Sequence, residues 1–150
     1  MLARTHMAIG ILAALIVVPF LALEQKLLFV GLAALGSLLP DVDHQGSLIN
    51  RLFPVTKIAA HFFKHRGFFH SIFPPLILWG VTRASAYALI GQALVLGYVT
   101  HLFSDSFTKW GVNYLYPLSQ FRIMGFIQVG SWVETTLFFV VLLLILFIIL

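Results

Sequence analysis

The sequence predicts an all-α polytopic membrane helix bundle of about five hydrophobic segments, with an interfacial amphipathic stretch between the second and third. Two observations carry that expectation. The chain is 61% hydrophobic and 15% aromatic with only 9% charged residues, and its mean hydropathy of +1.03 lies far outside the range of soluble domains. The few ionisable residues also gather into three dense clusters that interrupt long apolar runs. At 150 residues the chain forms a single integral membrane domain, residues 1–150.

The first segment covers residues 5–23 and follows Arg4. It is longer than a signal h-region of roughly 7–15 residues and ends without a small-x-small cleavage site, so it reads as a retained membrane helix. Glu24-Gln25-Lys26 makes a polar turn. The second segment, residues 27–39, is short for a span of ~20 residues. Over residues 41–66, Leu48, Ile49, Leu52, Phe53 and Ile58 alternate with Arg51, Lys57 and Lys64, the mixture expected of a stretch lying at the membrane surface. The third segment, residues 71–82, is also short, and Pro74 and Pro75 near its start are expected to break or bend it. Arg83 makes the next turn. Residues 84–103 form the fourth segment. A loop over residues 104–125, rich in Tyr, Trp, Pro and Gly, leads to the fifth, residues 126–150, whose only charge is Glu134.

Charge distribution predicts orientation. With a cytoplasmic N-terminus, Arg4, Arg51, Lys57, Lys64, Arg66, Lys109 and Arg122 fall inside and only Lys26 and Arg83 outside. Seven against two follows the positive-inside rule and predicts N-in, C-out. All three polar clusters, His6 and the near end of the fifth helix then share the cytoplasmic face. The basic residues are scattered singly, so the net charge of +4 does not build the basic stripe of a nucleic-acid surface. With no cysteine, disulfides and thiolate ligands are excluded. A metal would bind through His, Asp, Glu or water, which suits zinc, manganese or iron and not copper(I).

The clusters are Pro40-Asp41-Val42-Asp43-His44, His65-Arg66-Gly67-Phe68-Phe69-His70 and His101-Leu102-Phe103-Ser104-Asp105. Carboxylates and imidazoles cost several kcal/mol each when buried unpaired in apolar surroundings. His101 and Asp105 are four apart, so a helix puts them on one face with Cβ atoms ~6 Å apart, a spacing suited to two ligands of one metal. Asp41, Asp43 and His44 repel or compete unless a cation sits among them. Gly67 permits a bend that aims His65 and His70 inward, and the Arg66 guanidinium matches a phosphate. Taken singly, each cluster has a plainer explanation: a His–Asp hydrogen bond, a helix cap, an arginine facing headgroups. Taken together on one face, they read as a metal centre. Glu134, inside a span, is a candidate ligand or base. His61 belongs to the amphipathic stretch and is left out.

The order of these residues resembles a known family. Thr5-His6, Leu38-Leu39-Pro40-Asp41-Val42-Asp43-His44, His65-Arg66-Gly67-Phe68-Phe69-His70-Ser71, the run Gly97-Tyr98 to His101 and Asp105, Thr108, Gly111-Val112, Pro117 and Glu134 together look like the YdjM family of membrane-bound, metal-dependent hydrolases of prokaryotic inner membranes. The resemblance covers nearly the whole chain. It departs at Phe69, where the family pattern commonly has threonine. The ligand order is also loosely similar to that of zinc-dependent phospholipase C and nuclease-type all-helical enzymes.

The expectation is therefore a hydrolase of a phosphoester on a membrane lipid or lipid-linked substrate. Asp41, His44, His65, His70, His101 and Asp105 would hold one or two divalent ions, zinc first, with manganese or iron as alternatives. Asp43 and Glu134 would bridge or act as base, Arg66 would hold the phosphate, and His6 would complete the shell or protonate a leaving group. Trp110, Tyr114 and Tyr116 would form an interfacial belt. A non-enzymatic metal-binding scaffold and a metal or proton transporter are the alternatives.

Overall fold

The computed structural model describes residues 1–21, 24–62 and 66–150, and among these it is helical without strands. Seven α-helices follow in order: α1 Ala3–Val17, α2 Lys26–Gly36, α3 Leu48–Leu52, α4 Lys57–Phe62, α5 Phe73–Thr82, α6 Ala88–Asp105 and α7 Trp132–Ile149. Each of the five apolar segments carries one long helix, and α3 and α4 occupy the amphipathic stretch.

Local chemistry sets the helix ends. α1 stops at Val17 because Pro19 lacks an N–H and disfavours helix in the residue before it, and a 3₁₀ turn, Val18–Phe20, takes over. The expected break at Pro74 and Pro75 does not occur. Both prolines lie in the first turn of α5, where backbone N–H groups lack helical acceptors anyway, so they start the helix rather than bend it. α7 begins six residues later than its apolar run: Gly130 takes a left-handed φ of 78°, and the Ser131 hydroxyl accepts the Glu134 N–H at 3.4 Å. α6 runs on to Asp105, which keeps His101 and Asp105 on one helical face.

The five-span bundle reduces to a helical architecture with two candidate spans among the described residues, Ala3–Phe20 and Trp132–Ile149. α2 and α5 have 11 and 10 residues, short of the ~20 needed to cross a bilayer unaided. α6 has the length, 18 residues, but carries Gln92, His101 and Asp105. α7 buries only Glu134 and Val141, so nearly all of its apolar surface faces outward, as a lipid-facing helix requires. On α3, α4 and the turn between them, Leu52, Val55, Ile58 and Phe62 are exposed, which is the apolar side of a surface-lying segment.

The core lies where α1, α2 and α6 meet, around Ala14, Val18, Phe29, Ala33 and Ala93. These are mostly small residues because the backbones nearly touch. A Cβ on Gly97 of α6 would stand 1.9 Å from the Ala33 carbonyl oxygen of α2, and one on Gly36 would stand 2.3 Å from the Leu94 carbonyl oxygen. Between helices in lipid, such close packing replaces the hydrophobic drive available in water. Gly97→Ala is therefore expected to destabilise the protein by about 1–3 kcal/mol through overpacking. Gly31, which has nothing within 4 Å of its added Cβ, is expected to gain about 0.5–1 kcal/mol as alanine. Thermal unfolding of both variants in detergent checks the contrast.

Candidate metal centre

Five ionisable side chains converge at one end of this packing. His6 lies in the first turn of α1. Asp41 sits in the 3₁₀ turn Leu39–Asp43 that follows α2. His70 closes the 3₁₀ turn Phe68–His70 ahead of α5, and His101 and Asp105 lie in the last turns of α6. All but Asp41 are at most 1% exposed. The Asp41 side chain keeps 20% of its surface and forms the open side of the site.

The three imidazoles are held in the same way. His101 Nδ1 lies 2.7 Å from the Ser37 carbonyl oxygen, which can only accept, so Nδ1 carries the proton. His6 Nδ1 meets the Ser104 hydroxyl oxygen at 3.0 Å, and that hydroxyl donates to the His101 carbonyl, so His6 is the donor in this contact. His70 Nδ1 lies 3.3 Å from an Asp43 carboxylate oxygen. With each Nδ1 committed, the Nε2 lone pairs face inward. His6 and His101 stack with ring centroids 3.6 Å apart, and His70 meets His101 edge-on at 5.3 Å.

The inward atoms approach without bonding one another. His70 Nε2 is 3.6 Å and His101 Nε2 3.9 Å from Asp41 Oδ1, while His101 Nε2 is 3.9 Å from Asp105 Oδ2. The ligand atoms of His6, Asp41 and His101, and those of His70, His101 and Asp105, lie within 4.8 Å of one another in each group. Among the described residues, the buried Nε2 atoms of His6 and His101 lack a hydrogen-bond partner. A buried polar atom left this way costs about 1–3 kcal/mol. A divalent cation at the shared centre satisfies those lone pairs, and the donor set of imidazole and carboxylate without sulfur suits zinc, manganese or iron. The residues fit a metal.

Electrostatics follow from this crowding. Burial works against a charged Asp41, but His101, His70 and His6 outweigh it and hold its carboxyl well below the usual range. Burial likewise disfavours charged His70, yet Asp41 and Asp43 raise it to about 8, so a metal at its Nε2 would bind in competition with a proton. Asp105 is surrounded by cations: it contacts the Met1 amino group, and Arg66 Nη2 is 2.7 Å away. Arg66 itself has a left-handed φ of 59°. Three contacts hold that backbone: its N–H donates to Asp43 at 3.1 Å, Nη1 donates to the Gly111 carbonyl at 2.9 Å, and Nη2 pairs with Asp105.

Several expected roles move. Asp43 faces Arg66 and His70 Nδ1 rather than the ligand cluster, so it orients a ligand. Arg66 is committed to Asp105 and Gly111 and does not stand free for a phosphate. Glu134 is buried and falls in neither ligand group: its oxygens accept the Leu2 N–H at 2.5 Å and the Gly130 N–H at 2.7 Å. The run Ser131-Trp132-Val133-Glu134 is a capping-box pattern, and that signal points to a helix start. His44 is exposed on the rim of the cleft, outside both ligand groups. His65 lies outside the described residues. His61 is exposed and packs edge-on against Phe62.

Sequence reasoning missed Ser37, Ser104 and Tyr98. Ser104 was visible as a hydroxyl three residues after His101. The Ser37 contact runs through its backbone and leaves no side-chain signal. Tyr98 donates its hydroxyl to the Phe69 carbonyl at 2.5 Å, so the turn that ends in His70 is pinned through the Phe69 backbone. Above the cluster opens a cleft of about 800 Å³ lined by Asp41, His44, Arg51, Arg66, Trp110 and Arg122, among others.

The sequence pattern of the YdjM family, described as YdjM inner membrane protein, matches residues 1–150. The chain belongs to the YdjM family. Uncharacterized protein YvsG of Bacillus subtilis (strain 168) is 31% identical over 139 residues, covering 89% of this chain and 85% of the relative. Inner membrane protein YdjM of Escherichia coli (strain K12) is 38% identical over 92 residues, 57% of this chain and 47% of that protein. No solved structure matches the chain. Family membership makes this a membrane protein.

Asp43→Asn, which weakens the acceptor behind His70, is expected to lower affinity for a divalent metal 10–100-fold, as loss of a ligand's hydrogen-bond partner typically does. His61→Gln is expected to leave affinity unchanged. Competition with a chromophoric chelator in detergent measures both.

Proposed function

We propose that this protein is a metal-dependent hydrolase that cleaves a phosphoester of a lipid or lipid-linked substrate at the cytoplasmic face of the membrane. The observation that carries the proposal is the set of three imidazoles with Nδ1 anchored and Nε2 aimed at two carboxylates, beside an open cleft. His6, His70, His101, Asp41 and Asp105 would hold the ion. His101 belongs to both ligand groups and has only Nε2 to give, so one ion is expected rather than two. When bound, the ion would polarise a phosphoryl oxygen and acidify a water toward pKa ~7.

The chain's own residues supply the rest. Asp43 fixes the tautomer and direction of His70. Arg66 and the Met1 amino group counter the charge of Asp105 and keep it ionised. Asp41 is the carboxylate of the cluster that reaches the cleft, so it would be the ligand that a substrate entering from that side meets first. In the proposed topology the five apolar segments cross or enter the bilayer with the N-terminus cytoplasmic. The seven-to-two bias of basic residues supports that orientation.

Protein purified in detergent and loaded with zinc or manganese is expected to carry one ion per chain by elemental analysis. Hydrolysis across a panel of lipid phosphates is expected to disappear with chelator and in His101→Ala. A stoichiometric ion without turnover on any phosphate substrate would favour the scaffold reading instead, and no bound ion would sink both.

A further inference from the structure

We infer that Arg51 and Arg122 form an anion subsite on the lip of the cleft, which makes the preferred substrate one with a second phosphate or other polyanionic headgroup. The inference rests on the phosphoester reading of the metal centre and deepens it. The cleft of about 800 Å³ is in the range of sites that enclose a whole small ligand, far more than a lone phosphoryl group at the ion requires. Three guanidinium groups line it, from Arg51, Arg66 and Arg122, against one carboxylate, Asp41. Asp41 is taken up by the imidazoles around it, and Arg66 by Asp105 and Gly111. The remaining positive charge belongs to Arg51 and Arg122.

Both are exposed, and neither meets a carboxylate among the described residues. They approach from different parts of the chain, Arg51 from α3 and Arg122 from the loop that carries Gly111. A guanidinium offers a planar pair of donors that matches two phosphate oxygens, so two of them on one cleft suit a group of high negative charge. The apolar lining, Leu48, Trp110 and Val129, accommodates a hydrocarbon part beside the headgroup. The anion could reach the cleft on a lipid or as a free phosphate compound.

The test uses the full chain, metal-loaded in detergent, and two probes: inorganic pyrophosphate, and a long-chain alkyl diphosphate in mixed micelles. Arg51→Gln and Arg122→Gln are each expected to weaken anion binding roughly tenfold or more, the loss typical of a charge-assisted hydrogen bond. The metal count per chain should stay unchanged. Arg83→Gln, whose guanidinium lies 5.0 Å from the Trp79 ring centroid away from the cleft, should bind as the wild type does. Pyrophosphate binding would assign a soluble source, and binding of the alkyl diphosphate alone a lipid source; either supports the subsite. The inference is overturned if the double variant binds both probes as the wild type does, if the wild type binds neither, or if anion and metal are lost together. Because binding is read without turnover, inactivity with intact anion binding would defeat the hydrolase proposal and leave the subsite standing.

Discussion

The approach of α6 to α2 at Gly97 governs the geometry of the whole site. Only a residue without Cβ lets the two backbones come this close, and the contact lies one helical turn before His101. Ser37, at the end of α2, is thereby brought with its carbonyl 2.7 Å from His101 Nδ1. The hydrogen bond fixes the tautomer and turns Nε2 inward. His6 then stacks on His101, and His70 packs against its edge. A small-residue stripe that reads as membrane packing is thus also what orients the central ligand.

Charge compensation is the second constraint. Asp43 and Asp105 are buried in a chain with few cations to spare, and Arg66 serves both. A non-glycine residue at positive φ is strained by about 1–3 kcal/mol and persists only where its surroundings over-determine it. Here the surroundings do so. The backbone of Arg66 holds Asp43, while its guanidinium bridges α6 and the carbonyl of Gly111. One residue therefore ties the turn after α2, the end of α6 and the loop beyond it. The close fit of that loop has its own cause, since Gly111 has φ 63° and an added Cβ would meet Ile123 O at 2.5 Å.

Much of this was legible in the sequence where spacing carries geometry. The i,i+4 relation of His101 and Asp105 fixed a common face, and the distribution of lysine and arginine grouped His6, Asp41 and His70 with them before any coordinates. The parts that were not legible depend on finer angles. Asp43 reads in the sequence as a bridging ligand or base beside the ligand Asp41, but residues two apart in a 3₁₀ helix of three residues per turn point about 240° apart. Asp41 consequently faces the imidazoles while Asp43 faces the back of His70. His44 follows in an extended conformation, φ −114° and ψ 113°, which carries it to the rim. Glu134 reads as a candidate ligand or base because hydropathy counts charge and ignores the serine three residues before it, which marks the start of α7. Helix lengths were overestimated for a similar reason: apolar runs continue past Pro19 and begin before Gly130, and backbone chemistry stops the helices there.

The position of the site along the helices bears on what it can do. His6 is in the first turn of α1, Asp105 is the last residue of α6, and Asp41 and His70 lie in turns just outside α2 and α5. The ligands therefore collect at one end of the packed helices. A transporter needs its site between halves that can open alternately to each side; here the ligands sit at the helix ends, and the Gly97 contact walls the centre in on the helix side. Access comes instead from the cleft above Asp41, next to the exposed apolar side chains of α3 and α4. On the proposed reading, a substrate whose polar group rides at headgroup level would reach such a cleft from the membrane surface, its charged end meeting the lip arginines before the imidazoles. That order of encounter suits chemistry at the bilayer surface better than passage through it.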